Sequence, residues 1–209
     1  MHAKAVLAEL LGTFLFMTMG YLSVAAFGAA SVPTPALLVV PFGFGLGLLA
    51  AIFAFGHVSG GHFNPAVTVA MILDRRINVV DGAGYIIAQV IGAIGAAALV
   101  LIAVSQKAVA SGITAPGTGI SDMGALLIEI VATAGFLAVI LGATRRNASL
   151  AALAIPLTLV AIHFATATLT GTSVNPARSI GSAVVGGDVS KLWIYLVAPI
   201  LGGILGWVA

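Results

Sequence analysis

Asn64-Pro65-Ala66 and Asn175-Pro176-Ala177 place the same polar tripeptide in two apolar runs, 111 residues apart. Asn is among the best helix N-caps, and Pro is favoured at the first helical position, where its missing N–H costs nothing. Each tripeptide therefore starts a helix inside very apolar sequence. A helix start carries unpaired N–H groups and about half a positive charge, so it acts on ions and hydrogen-bonding solutes without covalent chemistry. Arg178 follows the second tripeptide directly. Glu9 and Glu129 lie in two other apolar runs, each with a threonine four residues on, Thr13 and Thr133. Carboxylates in such runs are expensive and mark functional candidates. His57 and His62 are five apart with Gly60 and Gly61 between them, and no carboxylate or Cys adjoins them. That is not the i, i+4 pair of a helical metal site, so neither a metal nor a cofactor is expected.

The elements that must position these groups are membrane spans. The chain has 209 residues, 61% hydrophobic and 7% charged, where soluble domains carry about 25% charged residues. No Asp, Glu, Lys or Arg occurs between Glu9 and Asp74. The first apolar run exceeds a signal-peptide core and is read as retained. The absence of Cys excludes disulfides, thiol nucleophiles and thiolate metal sites. With few acids and no nucleophile–base arrangement, an enzyme is not expected, and a scattered net charge of +2 gives no basis for nucleic acid binding.

Hydropathy predicts six spans, near 5–27, 37–56, 82–104, 123–143, 150–169 and 191–208. Pro33 and Pro35 break the first pair, Ser111 to Gly119 mark the longest loop, and Gly186 and Gly187 precede the last span. The last span reaches the final residue, Ala209, with no charged tail, so that helix either ends early or belongs to a longer chain. Apolar pieces near 65–73 and 176–185 are too short to cross a bilayer. Lys4, Arg75, Arg76, Arg145 and Arg146 fall on one side of a six-span arrangement, which predicts cytoplasmic termini.

One membrane domain, 1–209, divides into two repeats, about 1–110 and about 121–209, each with a leading glutamate and one Asn-Pro-Ala. Three spans per repeat invert the second repeat relative to the first, an arrangement associated with transport sites near the midplane. The expected fold is an all-α membrane protein of six transmembrane helices and two re-entrant half-helices. The half-helices would meet at their N-termini and oppose cations at the centre. The stretches "HVSGGH" and "TLTGTS" are expected to be non-helical, offering consecutive carbonyls to a watery cavity, with Asn64 and Asn175 as paired donors.

On "SGGHFNPAVT" and "TSVNPARS" the chain resembles the aquaporin, or major intrinsic protein, family over essentially its whole length, and most closely its bacterial water-selective branch. The resemblance implies a passive water channel in the cell (inner) membrane and a homotetramer with one pore per subunit. It implies an aromatic/arginine filter of Phe44, His163, Thr172 and Arg178. It assigns Gly60, Gly61, His62, Phe63, Gly171, Ser173 and Val174 to the carbonyl ladder and makes Glu9 and Glu129 braces of the re-entrant loops. The glycerol-conducting branch typically has a small residue in place of His163 and an Asp in place of Ser179, which favours water here. A small neutral solute facilitator of the glycerol type remains the alternative. An ion-coupled transporter would need a carboxylate at the half-helix junction, and neither junction has one.

Overall fold

The computed structural model describes residues 2–28 and 36–209, and among them every regular element is helical. Pro33 and Pro35 lie outside the described residues. The order is α1 (Ala3–Gly28), α2 (Ala36–Ala51), a π-helical turn (Ile52–Gly56), α3 (His57–Ser59), α4 (Pro65–Leu73), α5 (Val79–Ala103), α6 (Gln106–Ala110), α7 (Asp122–Arg146), α8 (Ala148–Thr170), α9 (Pro176–Gly186) and α10 (Leu192–Val208). Five stretches are long and apolar enough to cross a membrane, Leu38–Ser59 counting as one, and α10 adds a shorter apolar helix of 17 residues. That length is at the lower end of what spans a bilayer.

Burial departs from that of a soluble domain at both extremes. Ile102, Val131 and Val80 are exposed on the outer helix faces, whereas Glu9, Gln89 and Glu129 are buried completely. Polar groups turned inward and apolar groups turned outward suit a lipid surround and a polar interior path.

The approaches to both half-helices are more helical than the sequence predicts. The chain stays helical to Ser59 and to Thr170, and it breaks only at Gly60 (φ +91°) and Gly171 (φ +73°). The reason is local. Thr166 donates its hydroxyl to the carbonyl four residues back and so remains compatible with the helix. A left-handed glycine is what ends it. The irregular backbone is thus confined to 60–64 and 171–175.

α1 packs on α2 and α5, α7 packs on α8 and α10, and α2 meets α8. Both half-helices, α4 and α9, pack between α5 and α10. Close approach is set by glycine. A Cβ on Gly92 would lie 2.5 Å from the carbonyl oxygen of Leu10, and one on Gly202 would lie 2.4 Å from that of Ile130. These small residues therefore serve contacts within one chain.

Ion pairs mark the two ends of the bundle. Asp74, at the end of α4, accepts from Arg76 at 2.7 Å and from Arg145, at the end of α7, at 2.6 Å. Burial opposes the Asp74 charge, but the two guanidinium groups outweigh it and hold the carboxyl below the usual carboxylate range. Lys191 pairs with Asp122 at 2.7 Å, where α7 starts.

Candidate functional site

The two half-helices meet through their caps. Asn64 Oδ1 accepts from the N–H of Ala66 at 2.8 Å, and Asn175 Oδ1 accepts from those of Ala177 at 3.0 Å and Arg178 at 3.3 Å. Each amide nitrogen then crosses to the other loop. Asn64 Nδ2 donates to the carbonyl of Val174 at 2.7 Å, and Asn175 Nδ2 donates to the carbonyl of Phe63 at 3.0 Å. An amide nitrogen has two hydrogens, so each Asn keeps one beyond its cross-loop bond. Both Asn side chains line one internal cavity.

Each loop is held from behind by a buried glutamate. Glu9 accepts from the N–H groups of His62 at 2.9 Å and Phe63 at 2.7 Å, and from Ser59 Oγ at 2.6 Å. Glu129 accepts from the N–H groups of Ser173 at 2.9 Å and Val174 at 2.8 Å, and from Thr170 Oγ1 at 2.7 Å. These bonds fix backbone that has no helix to fix it. Phe63 (φ +47°), Thr172 (φ +45°) and Val174 (φ +45°) all occupy the left-handed region, at a cost of about 1–3 kcal/mol each. Two N–H groups and one hydroxyl on each carboxylate hold that backbone in place.

Past the Asn pair the cavity closes to a gap between Phe44, His163 and Arg178. The Phe44 and His163 rings stack with centroids 4.7 Å apart and planes 20° apart, and the Arg178 guanidinium carbon lies 5.0 Å from the Phe44 centroid. Backbone carbonyls pin the guanidinium: Nη1 donates to Gly112 and Nη2 donates to Gly171 at 3.2 Å. His163 is fixed through Nδ1, 2.9 Å from the Leu159 carbonyl oxygen, so Nε2 faces the other way with no protein partner among the described residues.

The cavity, about 50 Å³, runs from Thr144 and Ile140 past the Asn pair to Phe44, His163 and Arg178. Lining residues at each end also line a neighbouring vestibule. The cavity shares His62, Met71 and Thr144 with a vestibule beside Arg76, and it shares His163 and Arg178 with another beside Gly112.

Of the expected ladder, Gly60, Gly61, His62, Ser173 and Val174 line the cavity; Gly171 lines the Gly112 vestibule, and Phe63 lines neither. Three of the carbonyls are not left to solvent alone. Phe63 and Val174 accept from the crossed Asn pair, and Gly171 accepts from Arg178, because the loops brace each other as well as the path. Thr172 lines neither the cavity nor the Gly112 vestibule. It lies behind the loop with its hydroxyl 2.7 Å from that of Thr166, since its left-handed backbone turns the side chain onto α8.

Sequence reading missed several supports. Gln89 donates to Glu9 Oε2 at 2.7 Å and to Thr68 Oγ1 at 2.9 Å. Ser179 Oγ lies 2.7 Å from that of Ser173 and accepts from Thr114 at 2.8 Å. A lone amide in an uncharged run was the signal available for Gln89; nothing in the sequence paired Thr114 with Ser179.

The model of the major intrinsic protein family matches residues 1–209. The chain belongs to the major intrinsic protein family. Its members are membrane channels, and this major intrinsic protein is a multi-pass membrane protein of the aquaporin fold. Aquaporin Z of Rhodopseudomonas palustris is 43% identical, the match covering 100% of this chain and 92% of that one. The glycerol uptake facilitator protein-like 6 of Lactiplantibacillus plantarum is also 43% identical, over 95% of this chain and 93% of its own. Among solved structures, the aquaglyceroporin from Plasmodium falciparum superposes with a TM-score of 0.89 at 24% identity, covering 99% of this chain and 94% of that one.

Proposed function

We propose that this chain is a passive, water-selective channel driven by osmotic gradients. The observation that carries the reading is the gap at Phe44, His163 and Arg178, where a stacked pair of rings faces a pinned guanidinium. It leaves one apolar wall, one imidazole edge and fixed donors, a setting that suits a single small hydrogen-bonding molecule. The α4 and α9 N-termini, joined through Asn64 and Asn175, put positive potential at the centre. Exclusion of protons and cations by an Arg and by half-helix dipoles is the general account of aquaporin selectivity, applied here to these residues.

The remaining assignments follow the same reading. Residues 1–110 and 121–209 form two inverted repeats of one channel domain, Glu9 and Glu129 brace the loops, and the ladder carbonyls guide water. The end bearing Asp74 and its arginines is cytoplasmic, both termini included, in the cell membrane. Four copies form a tetramer, each with its own pore. The second reading is a glycerol-type facilitator. It is favoured by the apolar cavity residues Phe16, Leu48, Val67, Phe136 and Ile140 and by the likeness to the Lactiplantibacillus plantarum protein.

Light scattering from proteoliposomes after an osmotic jump separates the two. Fast shrinkage with glycerol excluded as well as sucrose, and a glycerol leak on His163→Ala, is the expected result. Rapid glycerol entry in the wild type would move the protein to the second reading, and water and glycerol fluxes both equal to those of empty liposomes would sink both.

A further inference from the structure

We infer that Tyr21 is a positioning residue for the filter and sets how strictly it separates water from larger solutes. The inference rests on the filter reading above, although Tyr21 itself lies outside the cavity lining. It touches both walls of the gap from behind. Its hydroxyl donates to the backbone carbonyl of Arg178, in the first turn of α9. Its ring lies 5.8 Å from the Arg178 guanidinium carbon. The same ring meets Phe44 edge-on, with centroids 6.2 Å apart and planes at 85°.

The seat for this tyrosine is built by its neighbours. Phe16, five residues earlier in α1, meets Phe44 edge-on as well, at 6.2 Å and 89°, so α1 holds that ring with two aromatic rings perpendicular to it. Gly20 gives Phe44 its room, because a Cβ there would fall 2.3 Å from the ring. Gly181 gives room to the hydroxyl, because a Cβ there would fall 2.8 Å from it.

Without the Tyr21 ring, Phe44 keeps Phe16 and His163 but loses a wall, and Arg178 loses one of two aromatic faces. Both movements widen the gap. Without the hydroxyl alone, the ring contacts remain and only the tie to the α9 turn is lost. The effect of Tyr21 therefore divides between shape, carried by the ring, and register, carried by the hydroxyl.

The test compares wild type, Tyr21→Phe and Tyr21→Leu in proteoliposomes, reading the ratio of glycerol and urea permeability to water permeability. Tyr195→Leu, at an equally buried tyrosine outside the cavity lining, controls for a loosened core. Tyr21→Leu should raise the ratio about tenfold or more and Tyr21→Phe two- to threefold, while Tyr195→Leu leaves it within about twofold, since small changes in a size-selective pocket act at this scale. A Tyr21→Phe channel and a Tyr21→Leu channel that both keep the wild-type ratio would overturn the inference, as would an equal rise in Tyr195→Leu. If Tyr21→Leu does not assemble, Tyr21→Phe decides by itself. Wild-type glycerol entry would defeat the water-selective reading alone; Tyr21 is then judged by the same ratio on the next larger polyol.

Discussion

The two re-entrant loops are built on one plan but support different loads. In both, a glutamate accepts two consecutive N–H groups and one hydroxyl, a glycine turns left-handed, and an Asn caps a half-helix while reaching across to the other loop. Behind the first loop Glu9 has a fourth donor, Gln89. Behind the second, Glu129 has none from α10: the register set by Gly92 and Gly202 puts Pro199, with no amide to offer, where Gln89 stands in α5. In front the asymmetry reverses. The second half-helix has Arg178 where the first has Val67, and that Arg is tied to Gly112, Gly171 and Tyr21. The first loop is better braced, and the second carries the only charge aimed into the path among the described residues. Two loops of one plan thus place a buried guanidinium against the cavity on one side only.

The largest test of this comparison is to neutralise each brace. Glu129→Gln must point an NH2 group at N–H or hydroxyl donors, and no neighbouring amide can reorient to accept. Glu9→Gln faces the same conflict, but Gln89 can turn its own amide oxygen toward the new donor. Loss of a charged partner to buried donors costs about 3 kcal/mol or more. We expect Glu129→Gln to lower thermal stability in detergent further than Glu9→Gln does, and equal losses would break the comparison.

Making the second half-helix resemble the first comes next. Arg178→Val removes the guanidinium and leaves the Gly112 and Gly171 carbonyls without it, so glycerol permeability should rise about tenfold or more, with weaker exclusion of cations. Unchanged selectivity in flux assays would remove Arg178 from the filter. Gln89→Met should cost roughly 1–2 kcal/mol, the scale of a lost buried hydrogen bond, with water flux per channel close to wild type. A large fall in flux would mean that Gln89 shapes the path directly.

The smallest effect lies at the Asp74 end. Because the folded-state pKa of Asp74 is depressed, its pairs with Arg76 and Arg145 contribute stability above the unfolded value near 4, and that contribution is lost as pH falls through the lowered value. Asp74→Asn should flatten this part of the stability-versus-pH curve while leaving neutral-pH flux unchanged. The effect is small because Arg145 is largely exposed and its pair is screened.

Much of this was legible in the residue string because it depends on local rules. Asn-Pro at 64–65 and 175–176 sets a helix start wherever it occurs, whereas the helices before them run on to Gly60 and Gly171, past the point where their Gly, Ser and Thr content suggested a break. Spans follow from the uncharged lengths, since lipid tolerates little else. Which way the Thr172 side chain faces was not legible, because the left-handed φ that decides it is invisible in composition. The cavity residues Phe44, His163 and Arg178 come from three separate elements, and only family likeness joined them in the sequence.

By itself, then, the sequence determined that this chain lies in a membrane, where its two half-helices start, and that two matched loops enter the middle. Each of these needs only neighbours within a few residues or the cost of charge in hydrocarbon. The tertiary structure alone decided that Asn64 bonds Val174 and Asn175 bonds Phe63, that Gln89 supports Glu9, and that Tyr21 grips Arg178. Those pairs are 80 to 157 residues apart in the chain, and a hydrogen bond depends on ångström-scale distance and direction that only the packed helices supply.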